Sequence, residues 1–213
     1  MHKIILIDGC VDDEPGKVLY GVLNHIVGIV GEIQTDKIAG GLDLEGYNIA
    51  RELVKQSFNS RRNQVNAETL IGNIVSHPFV LRQDPKAKII VLLPESFYAH
   101  HSGRTLSYVH GGLFFYKGRK IVIMSTARFY DNGKFDPMHF GYIITHELGH
   151  MFDAVTTKNR SNTFELFGTH CSNDCVMQQE DGNSRVRAQD LGKRGKSFCD
   201  QCRTEMMQKH RLR

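Results

Sequence analysis

The sequence predicts a mixed α/β or α+β fold, and three observations carry that prediction. An apolar run, Ile4-Ile5-Leu6-Ile7, opens the chain at strand length. Apolar residues then recur at helical spacing, at Val18, Leu19, Val22, Leu23, Ile26, Val27 and Val30. Further on, Lys88-Ile89-Ile90-Val91-Leu92-Leu93 is a β-branched and apolar run closed by Pro94, the pattern of a strand covered on both faces. Strands and helices that alternate in this way are layered as a sheet backed by helices.

In chain order, the first strand ends at Asp8 and a polar turn over 11–16 leads into the amphipathic helix. Gly40-Gly41 then breaks the pattern. Further helices are expected from about Gly46 to Gln56 and from about Ala67 to Val75, the second with Asn66 as N-cap and His77-Pro78 as its stop. After the strand at 88–93, Leu113 to Tyr116 and Ile121 to Ser125 form a hairpin through Lys117-Gly118-Arg119-Lys120. The segment from Met138 to Asp153 reads as a helix.

The 213 residues suffice for one domain with a substantial core, read as a body over 1–152 and a smaller part over 153–213. With 40% hydrophobic and 23% charged residues, disorder and fibrous folds are excluded. The opening apolar run is too short for a signal-peptide core or a membrane span, so a cytoplasmic protein with no membrane partner is expected. In that reducing compartment five cysteines point to metal ligands or free thiols rather than disulfides. The net charge of +4 is concentrated between Arg185 and Arg213 and reads as a solvated basic face. Contact with nucleic acid is not part of the expectation, although that basic stretch leaves it open.

The chemistry concentrates in His146-Glu147-Leu148-Gly149-His150. Residues four apart on a helix project about 40° apart, so His146 and His150 can bind one metal ion from one face. Glu147 is turned roughly 100° from His146, which sets its carboxylate beside the metal as a general base rather than on it. Phe140, Ile143, Ile144 and Leu148 give this helix an apolar backing that a solvated surface helix would lack. Catalytic zinc needs a third protein ligand, with water in the fourth position. Asp153 and His170 are the candidates.

Two cysteine pairs, Cys171-x3-Cys175 and Cys199-x2-Cys202, have the spacing of a structural four-thiolate zinc site. Cys10 is left as a small buried residue.

In these motifs the sequence resembles the archaemetzincins. That family carries HExxHxxGxxH, with a Cys directly after the last His, a second Cys, a Met two residues beyond it, and a closing CxxC. Gly168-Thr169-His170-Cys171, Cys175-Val176-Met177 and Cys199-Asp200-Gln201-Cys202 repeat that order. The resemblance implies a metzincin-like fold: a small twisted mixed sheet backed by helices, the motif helix under the cleft, and an irregular Cys-rich C-terminal part. It implies two zinc ions, one held by His146, His150 and His170 and one by Cys171, Cys175, Cys199 and Cys202. Met177 becomes the methionine beneath the first metal, and the strand Ile121 to Ser125 the rim that pairs with extended peptide. The activity implied is peptide hydrolysis.

One departure stands out. Asp153 occupies the position of the family's Gly, and His170 lies 20 residues after His150 instead of six, an insertion of about 14 residues ending at Phe167. If it does not loop out cleanly, Asp153 takes the coordination site. Two other readings remain: a SprT-like peptidase associated with DNA, which also has a distant third His before a Cys-rich element, and a zinc-stabilised binding module without catalysis.

Overall fold

The computed structural model describes residues 2–10, 12–37, 44–101, 103–156, 169–178, 183–195 and 197–211. Gly40-Gly41 and most of the expected insertion lie outside the described residues.

Elements run in the order β1 (His2–Asp8), α1 (Glu14–Val30), β2 (Ile33–Lys37), α2 (Leu44–Ser57), β3 (Phe58–Asn59), β4 (Gln64–Asn66), α3 (Ala67–Ser76) and α4 (Pro78–Leu81). They continue with β5 (Lys88–Leu93), β6 (Phe97–His101), β7 (Arg104–Val109), β8 (Gly111–Tyr116), β9 (Arg119–Ser125), β10 (Tyr130–Asp131) and β11 (Lys134–Phe135). The C-terminal third holds α5 (Pro137–Met151), α6 (Ser184–Lys193) and α7 (Asp200–Arg211). No helix among the described residues is long and apolar enough to cross a membrane.

Two compact units result, the first from Met1–Gly16 with Ile33–Phe135 and the second from Lys17–Glu32 with Asp136–Arg213. The first unit is built on a five-stranded sheet of order β2-β1-β5-β9-β8, parallel except for β8. Its middle strand is β5, in which Ile89 through Leu93 are all buried, as its uninterrupted apolar run requires. Ile5, Ile7, Ile89, Val91, Ile121 and Ile123 pack with Leu53, Val54, Leu70 and Ile74 of α2 and α3 into one core. Asn66 caps α3 by accepting the Thr69 N–H at 2.7 Å, so the expected helix start holds. The β8–β9 hairpin turns through two residues, Lys117 (φ 48°) and Gly118 (φ 79°), a left-handed pair that matches strand twist.

Two expectations are corrected by the fold. Ile121–Ser125 lies within β9, which is hydrogen-bonded to β5 on one side and β8 on the other, so no peptide can add to it. The edge strand of that hairpin is β8. The C-terminal part is also more regular than expected, because α6 precedes its second cysteine pair and α7 contains Cys202 of that pair.

A second sheet, β3-β4-β6-β7, has no counterpart among the strands expected from the sequence. Its strands β3 and β4 span only two and three residues, too few for any periodicity to register.

Candidate metal centres

The motif helix α5 starts where Asp136 accepts the His139 N–H at 3.0 Å and Pro137 takes the first helical position. It ends in a Schellman turn. The Ala154 N–H reaches the Gly149 carbonyl at 2.8 Å and the Asp153 N–H that of His150 at 3.2 Å, with Asp153 at φ 57°. Asp153, at the position where the resemblance leads us to expect Gly, itself adopts this left-handed conformation, which its residue type tolerates.

That turn separates the two candidates for a third ligand in space. Asp153 has left the helix and so lost its place on the His146 and His150 face; its carboxylate stands 3.7 Å from His210 Nε2 instead. His170, in contrast, joins the pair: ligand atoms of His146, His150 and His170 all lie within 4.8 Å of one another. His146 Nε2 and His150 Nε2 are 3.0 Å apart, and the His170 ring centroid is 5.3 Å from that of His146 and 4.9 Å from that of His150. A tetrahedral zinc with imidazole ligands sets its nitrogens about 3.3 Å apart, so the converging rings fit one ion.

The tautomer of His146 is set by its surroundings. Val176 O can only accept, so His146 Nδ1 donates to it at 2.7 Å and the Nε2 lone pair is turned toward His150. Burial of the ring, although part of the residue reaches solvent, pushes its pKa down to about 4 against the opposing pull of that carbonyl. It is therefore neutral at physiological pH, as a metal ligand must be. Glu147 is buried on the same helix and is not among the clustered ligand atoms.

The turn over 171–178 builds both clusters at once. The Cys171 N–H donates to Met177 O at 2.8 Å and the Gln178 N–H to Cys175 O at 3.0 Å, which folds the chain tightly and aims Val176 O at His146. The turn also seats Met177, fully buried, against Gly149. A Cβ at Gly149 would overlap the Met177 sulfur and lie 2.8 Å from Phe198 Cε1, so any larger residue there would have to displace both side chains. Arg187 holds the turn from α6, donating to Cys175 O at 3.4 Å and to the Gln178 side chain. Neither Arg187 nor the Val176 carbonyl is visible in a motif, since one acts through geometry and the other through backbone.

The sulfurs of Cys171, Cys175, Cys199 and Cys202 form the second cluster, also within 4.8 Å of one another. Cys171 to Cys199 and Cys175 to Cys202 each measure 3.8 Å, far beyond a disulfide bond. Four sulfurs at about 2.3 Å from one zinc would be spaced about 3.8 Å apart. Asn173 donates its N–H to Cys171 Sγ at 3.3 Å and its amide to Cys199 Sγ at 3.5 Å. The Cys202 thiol's hydrogen bond, outweighing burial, draws Cys175 down to about 5, aided by the backbone N–H groups of Cys199 and Met177. Cys199 is also drawn down: burial opposes this, but the Cys202 N–H and the Asn173 amide prevail. Such thiols favour the thiolate form that zinc takes.

Cys10 and two further histidines lie outside both clusters. Cys10 is buried, with its thiol raised to about 12 by burial and by Asp8. His100 bonds Thr105 Oγ1 at 3.1 Å, and His110 packs edge-on against Phe129.

No model of a protein family matches the chain, and no curated protein matches it in sequence. Among solved structures, it is similar to the crystal structure of archaemetzincin from Methanopyrus kandleri, with a TM-score of 0.60 and 18% identity over 100% of this chain and 96% of that one. The fold of this chain is archaemetzincin-like.

Proposed function

We propose that this protein is a zinc-dependent peptidase that carries two zinc ions, a catalytic one at His146, His150 and His170 and a structural one at the four cysteines. The convergence of three neutral-capable imidazoles on one point, beside a helical glutamate, is the observation that supports it most. Zinc bound there would polarise the scissile carbonyl and acidify the attacking water. Glu147 takes the proton from that water and later delivers it to the leaving amine, so the residue ends the cycle as it began. His146, held by Val176 O, presents Nε2 without a rotameric search. A reducing, cytoplasmic setting belongs to the same proposal, since it keeps four clustered thiols available for metal.

Neither rival reading gains an observation. A closed, non-catalytic site would need a fourth protein ligand, and among the described residues the cluster contains three histidines. As for DNA, several arginines of the basic stretch are paired locally: Arg185 with Asp136 at 3.0 Å, Arg187 with Asp174 at 3.4 Å, and Arg194 with both Asp174 and Asp190.

The test is incubation of zinc-loaded protein with a mixed peptide library and mass analysis of the products. Cleavage is expected, to be lost on chelation and restored by zinc. Absence of cleavage at full zinc loading would reject the catalytic reading in favour of the binding module.

A further inference from the structure

We propose that Glu205 and His210 of α7 are positioning residues that clamp the chain where it leaves the motif helix, and so let His170 complete the metal site across the long insertion. The proposal rests on the assignment of the three histidines as a metal site.

The difficulty such a clamp resolves is one of chain statistics. Closing a loop becomes less probable roughly as the three-halves power of its length, so stretching the separation of second and third ligand from six to 20 residues lowers that probability about sixfold. An unrestrained chain would carry that loss into metal affinity.

The structure restrains the chain at both ends of the stretch. At the exit from α5, His210 Nε2 donates to Phe152 O at 2.9 Å, directly before the left-handed Asp153. Four residues after Phe152, Thr156 donates its backbone N–H at 2.6 Å and its hydroxyl at 2.7 Å to one oxygen of the Glu205 carboxylate. Glu205 is buried, and Met206 beside it is fully buried. At the far end, Cys171 follows His170 directly and is tied to Met177 O and to the four-thiolate cluster.

Both restraints lead to the same helix. α7 carries Cys202 of the thiolate cluster in its first turn and begins immediately after Cys199, while Glu205 and His210 lie further along its body. One rigid element thus fixes where the chain departs and where it returns, whatever the length between. A buried carboxylate is costly unless its hydrogen bonds are satisfied, and packing alone would be served better by an apolar side chain. Its two bonds from Thr156 in the outgoing chain give it a reason to be there.

The experiment measures zinc affinity at the histidine site by competition with a chromophoric chelator, in the full chain, with thermal midpoint and total zinc recorded on the same samples. Glu205→Ala should weaken that site ten- to 100-fold while the four-thiolate zinc is retained, the range seen when groups that orient metal ligands are removed. Glu205→Gln, which keeps an acceptor oxygen, should recover part of the loss. Thr156→Val, which removes the hydroxyl donor of an exposed residue and is safe for folding, should show a smaller loss and covers the case in which Glu205→Ala does not fold. If Glu205→Ala and Thr156→Val lower the thermal midpoint yet bind zinc as tightly as wild type, the clamp is overturned and Glu205 is a packing residue. A wild type that holds one zinc, and still holds it in His170→Ala but loses it in Cys202→Ser, would overturn the histidine metal site itself, a result distinct from the first.

Discussion

Glu147→Gln is expected to leave the protein folded with both zinc ions bound and to lower peptide hydrolysis by about 10²- to 10⁴-fold, the usual contribution of a positioned acid–base group. The substitution preserves shape and hydrogen-bonding capacity on a buried helical position, but an amide cannot take a proton from water at neutral pH. Because Glu147 is not among the clustered ligand atoms, metal content should not change. The check is kcat on a peptide selected from the library, with zinc analysis on the same preparation. An unchanged kcat would remove Glu147 from the mechanism; loss of one zinc would make it a ligand instead.

The largest effect on stability is expected at the four-thiolate cluster. The helices around it contribute little apolar burial, with Ala188 and Leu191 from α6 and Met206 from α7. Structural zinc in small domains is worth about 10–16 kcal/mol of apparent binding free energy, which in such a setting is folding free energy. Cys202→Ser should therefore remove one zinc and collapse the thermal midpoint of the C-terminal part, and with it the restraint on Cys171 and His170. Cys10→Ala, at a buried thiol of the other unit, should keep both zinc ions and serves as the control. A Cys202→Ser protein with two zinc ions and an unshifted midpoint would contradict the assignment.

Much of this architecture is legible where a local signal and the tertiary outcome agree. The run at Lys88–Leu93 announces a strand buried on both faces, Asn66 announces a helix cap, and Lys117-Gly118 announces a tight hairpin. The HELGH helix and the two cysteine pairs are equally plain, because metal ligands need fixed spacings.

Features that escape the sequence depend on distant partners. β2 is Ile-Gln-Thr-Asp-Lys, polar enough that only its pairing with β1 makes it a strand. The strand available at the sheet edge cannot be read from apolar content: both arms of the hairpin are apolar, and it is the pairing of Ile121–Ser125 with β5 that puts this arm inside the sheet and leaves β8 at the edge. α7 is too polar to announce a core-facing stripe, since its inward residues are a thiol, a carboxylate and a methionine. The third ligand is a case between these. Asp153 sits at the correct interval only if the helix continues, and the helix stops at Met151, so what takes Asp153 away from the two histidines is a turn whose expected Gly is missing.

Two zinc sites coexisting in this chain, with His170 completing the first, is the proposal on which the rest depends. Zinc per chain, measured in the wild type and in His170→Ala, bears on it without any knowledge of the substrate. Two ions in the wild type and one in the variant, with the thermal midpoint largely kept, is the expected result. Two ions in both would show that His170 is not a ligand and would overturn the catalytic-site assignment.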